Sequence, residues 1–76
     1  MAILFSDVVK ARSASALRTV KNGMTTYFLK LDRNERFVRV SREIYEQAEI
    51  LMKGWDSLHC ETDRNNVTRH YKSLRR

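Results

Sequence analysis

Seventy-six residues, 42% hydrophobic and 32% charged, exclude a disordered chain and more than one domain, so residues 1–76 are expected to form a single small globular unit. The absence of proline, the two glycines and the single cysteine, Cys60, exclude a linker-rich chain and an intrachain disulfide, and favour a reducing, cytoplasmic setting. A net charge of +6 points toward an anionic partner.

The first ten residues, MAILFSDVVK, are briefly apolar but lack a basic leader and reach Asp7 early, so they read as neither signal peptide nor membrane span. Ser6 and Asp7 can cap a helix through DVVKARSASAL, although its irregular apolar spacing also allows part of it to be strand or irregular.

Three strands are predicted next, over residues 16–21, 24–32 and 36–40. Asn22-Gly23 suits a type I′ turn, in which both central residues need positive φ. MTTYFLKLD is rich in β-branched and aromatic residues, DRNE supplies a second turn, and RFVRV follows.

Ser41 then caps an amphipathic helix, REIYEQAEILMKGW. Ile44, Ala48, Leu51, Met52 and Trp55 form one apolar stripe, Glu43 and Lys53 suit the helix dipole, and Gly54 is placed to end the helix. In the tail, Asp63 can cap a second helix on which Val67, Tyr71 and Leu74 are spaced four and three apart. Arg69, Lys72, Arg75 and Arg76 fall on its other side. The expected fold is α+β: a three-stranded antiparallel meander packed against one long amphipathic helix, with an N-terminal helix or irregular segment and a short basic C-terminal helix.

The positive charge is segregated. Residues 10–40 hold eight Lys/Arg against Asp32 and Glu35, residues 41–60 are net acidic, and residues 61–76 are basic again. Alternation places Thr25, Tyr27, Leu29, Leu31, Val38 and Val40 on one face of the strands, toward the helix. The opposite face collects Phe28, Lys30, Phe37 and Arg39, with Lys21 or Arg18 nearby. Rings interleaved with cations suit single-stranded nucleic acid, because bases stack on rings while Lys and Arg hold phosphates. A competing arrangement buries Phe28 and Phe37 in a second small core under Ile3, Leu4, Val8 and Val9 of the N-terminal segment.

The leading expectation is a small, basic, non-enzymatic nucleic-acid-binding protein, regulatory or accessory, taking DNA or RNA. Lys21, Phe28, Lys30, Arg33, Arg36, Phe37 and Arg39 would form its sheet site, and Arg69, Lys72, Arg75 and Arg76 a second electrostatic arm. The alternative is a small inhibitor or adaptor docking on an acidic protein surface, with Tyr45 and Trp55 as interface anchors; a homodimer is a further option. No catalytic constellation, cofactor loop or four-ligand metal set is legible. His59, Cys60 and His70 supply metal-ligand residue types but too few of them.

Overall fold

The computed structural model describes residues 2–52 and 59–75. Its order is α1 (Phe5–Lys10), β1 (Ser13–Lys21), β2 (Met24–Leu31), β3 (Val38–Val40), α2 (Arg42–Leu51), β4 (His59–Thr62) and β5 (Thr68–Arg75). The strands form one antiparallel sheet in the order β3-β2-β1-β5-β4. α+β stands, but the three-stranded meander with one long helix and a C-terminal helix is corrected to a five-stranded sheet with two short helices.

The β1–β2 hairpin forms around Asn22 and Gly23, at φ 51° and 78°. At Gly23 a left-handed backbone costs nothing sterically, whereas a Cβ would be strained there. β1 begins at Ser13, inside the segment expected to be helical. There Ala14 and Ala16 alternate with Ser13, Ser15 and Leu17, and both alanines are buried. α1 is therefore confined to six residues. Asp7 lies in its first turn, where its carboxylate accepts from the Leu4 backbone N–H at 2.8 Å.

α2 starts as expected, with the Ile44 N–H donating to Ser41 Oγ at 3.3 Å. It ends at Leu51, one turn short of the expected stripe; Gly54 and Trp55 lie outside the described residues. Residues 60–75 are a hairpin and not a helix. Asp63, expected as a helix cap, instead organises the β4–β5 turn. Its Oδ1 accepts from the Asn65 and Val67 N–H groups at 2.8 and 3.1 Å. Asn66 takes φ 60°, a conformation that asparagine tolerates better than most residues.

Both helices lie on one face of the sheet. Ile3, Val8, Ala11, Ala48 and Met52 pack against Ala14, Ala16, Leu29, Leu31 and Leu74, with Val38, Val40 and Ile44 at the margin. Small side chains at Ala14, Ala16 and Ala48 let the helix layer sit close to the strands, and burial of Leu29, Met52, Leu74 and Val8 fills the remainder. Ile3 and Val8 thus belong to the main core, and Leu4 and Val9 are exposed. The N-terminal segment does not cover Phe28 and Phe37. Among the described residues, no helix is long and apolar enough to cross a membrane.

Candidate functional site

Register fixes what the other face of the sheet presents. Leu17 of β1 lies opposite Phe28 of β2 and Tyr71 of β5, and Phe28 lies opposite Arg39 of β3. One step along the strands, Ser15 is flanked by Lys30 and Ser73; on the other side of the apolar row, Thr19 is flanked by Thr26 and Arg69. Paired residues of a sheet share a face. An apolar row therefore crosses the sheet with cations and hydroxyls on both sides of it.

Phe37 lies just before β3, and its ring centroid is 6.4 Å from that of Tyr71, edge to face. Two strands lie between them, so the rings lean across β2 and β1 and form a ridge over the middle of the face. Phe28, Leu17, Phe37 and Tyr71 are each half-buried. The second small core does exist, then, but it is roofed by its own rings and not by the N-terminal segment. Lys30 Nζ stands 5.5 Å from the Phe37 centroid, within cation–π range.

A depression lies on each side of this ridge. One, of about 370 Å³, is lined by Ser13, Ser15, Ser73, Lys30, Arg75 and the Asp32–Asn34 turn, among others. The other, of about 450 Å³, is lined by Thr19, Thr26, Lys21, Arg69, Met24 and neighbouring turn residues. Arg69 is held in place: its Nη1 donates to Asp63 Oδ2 at 2.8 Å. That bond, with the two turn amides, holds the Asp63 carboxyl below the usual carboxylate range and raises Arg69 further.

The structure thus gathers Lys21, Phe28, Lys30, Phe37 and Arg39 on one face, as alternation predicts, and adds Arg69 and Arg75 from β5. Arg33 and Arg36 lie at its margin, exposed on the β2–β3 loop. Lys72 is removed from this set. On a strand it points opposite to Arg69 and Arg75, toward the helices, where its Nζ donates to Glu49 Oε2 at 3.0 Å. The basic helical arm is accordingly corrected to a strand that divides its cations between two faces. Arg76 lies outside the described residues.

Tyr45, considered as a surface anchor, is only 7% exposed. Its ring lies 4.8 Å from that of Tyr27 in the helix-side core, and burial pushes its phenol upward, helped by nearby Glu49. Cys60 and His70 are cross-strand neighbours, yet no group of three potential metal ligands occurs among the described residues. Sequence reasoning missed Tyr71, Leu17 and the serine row. Reading residues 68–75 with period two would have found Tyr71 beside Arg69 and Arg75. No protein-family model, curated protein or solved structure matches this chain.

Proposed function

We propose that this is a small, non-enzymatic nucleic-acid-binding protein that takes single-stranded DNA or RNA on the helix-free face of its sheet, with a regulatory or accessory role exerted by occupancy. The observation that supports it most is the segregation of chemistry between the two faces. The helix-free face carries Phe28, Phe37 and Tyr71 among Lys21, Lys30, Arg39, Arg69 and Arg75, outnumbering its acidic residues, Asp32 beside Lys30 and Arg75, and Glu61 and Asp63 beside Arg69. Acidic Glu43, Glu46 and Glu49 are carried instead on α2, in the other layer. Rings supply stacking worth about 1–3 kcal/mol per base, and cations at both flanks supply phosphate contacts. A single strand is favoured over a duplex because a half-buried ring ridge can stack on splayed bases but not on paired ones. The single cysteine supports a reducing, cytoplasmic setting.

The test is a salt titration by fluorescence anisotropy with labelled single- and double-stranded DNA and RNA. Single strands are expected to bind more tightly than duplexes. For about four phosphate contacts, log K should fall against log salt with a slope near −3. Absence of binding at low salt would remove the nucleic-acid reading and leave the cations to an acidic protein partner.

A further inference from the structure

The two depressions repeat one chemistry on either side of the ring ridge. Lys30 and Arg75 with three serines line the first, beside the Asp32 carboxylate, and Lys21 and Arg69 with two threonines line the second, where Asp63 pairs with Arg69. Two cations against one carboxylate leave each net positive. Cations neutralise a phosphate and hydroxyls donate to its oxygens, so each depression suits a phosphodiester. The second is preorganised, since the ion pair with Asp63 fixes the Arg69 guanidinium. On β1, Ser15 and Thr19 mark the two sides and are four residues apart, about 13 Å at strand rise; Arg75 and Arg69 on β5 are six apart, about 20 Å.

We infer that a single strand runs lengthwise along β1 across the Phe37–Tyr71 ridge, with a phosphate in each depression, bases on the rings between them, and a footprint of about four nucleotides. This rests on the nucleic-acid reading above and adds a path and a length to it. The footprint follows from dividing about 13–20 Å by the 3.4 Å rise of a stacked strand, then shortening the result because bases splayed onto rings stretch the backbone. A crosswise path along the ring row is the competing geometry. It would lay the backbone along one depression and leave the other unused, although both carry the same groups.

The test uses oligothymidylates of two, four, six and eight nucleotides with the full chain and with Lys30→Gln, Lys21→Gln and the double variant, across a salt series. The lengthwise path predicts about a tenfold or greater gain from two to four nucleotides, then only the small gain from extra registers. It also predicts that each substitution lowers the salt slope for the tetranucleotide by about 0.7, and the double variant by about 1.4. A slope unchanged by one of the two substitutions overturns the lengthwise path while single-strand binding stands. A further tenfold gain between four and eight nucleotides overturns the footprint. Wild-type protein that binds none of the four at low salt overturns the nucleic-acid reading together with it.

Discussion

The rings of Phe37 and Tyr71 meet at 6.4 Å although β2 and β1 lie between their strands. The contact ties the irregular segment before β3 to a strand near the opposite edge, across the face that carries no helix. It is at once a small second core and the raised centre of the proposed binding surface. Its loss should therefore register in both stability and binding.

Phe37→Ala and Tyr71→Ala are each expected to destabilise the fold, and to do so non-additively. A double-mutant cycle in urea should give a coupling of about 0.5–1.5 kcal/mol, the range for an edge-to-face aromatic pair. Additive effects would mean that the rings contribute separately to whatever lies beneath them.

Cations on the two faces should behave differently. Lys72→Ala removes a tie between α2 and β5 whose partners are roughly one-third exposed, so stability should fall by no more than about 1 kcal/mol. Because Lys72 faces the helices, the salt slope of nucleic-acid binding should stay unchanged. Arg39→Ala, on the helix-free face, should reduce that slope with little effect on stability.

Acid should loosen the β4–β5 turn. The Asp63 carboxyl is held below its ordinary value by Arg69, then by the Val67 and Asn65 amides. Its contribution to stability is therefore complete above the unfolded-state value, near 4, and is lost as pH falls through the lower folded value. The protection of the Asn65 and Val67 amides, taken as exchange relative to the intrinsic rate at each pH and followed from pH 6 downward, should fall over that window. Asp63→Ala should show little protection at either amide throughout and no such transition.

The core beneath the helices leaves no room for larger side chains at Ala16 and Ala48, both fully buried. Ala16→Leu should cost about 1–3 kcal/mol through overpacking, read as a lower urea midpoint at constant m-value. Leu29→Ala, which empties the same layer, should cost about 2–5 kcal/mol.

Signals that depend on one local chemistry were legible in the sequence. Asn22-Gly23 has few uses other than a tight hairpin, and Ser41 before an apolar stripe marks a helix start. Alternation in β2 and β3 assigned the faces correctly because the aliphatic Leu29, Leu31, Val38 and Val40 fall on one side and the cations Lys30 and Arg39 on the other. The tail misled because Val67, Tyr71 and Leu74 happen to keep helical spacing, while its true alternation is nearly silent: of the residues facing the helices, Leu74 alone is apolar. Asp63 was ambiguous for a related reason, since an aspartate that satisfies free amides serves a turn as well as a helix start. At β1, Ala14 and Ala16 carry high helix propensity, and burial overrode it.

The most direct measurement is amide chemical-shift mapping of the isotopically labelled protein titrated with an eight-nucleotide single strand at low salt. The account predicts saturable shifts centred on Leu17, Phe28, Lys30 and Tyr71, spreading to Thr19 and Arg69, with α1 and the outer face of α2 unchanged. Shifts centred on the helices, or none anywhere in the chain, would contradict it.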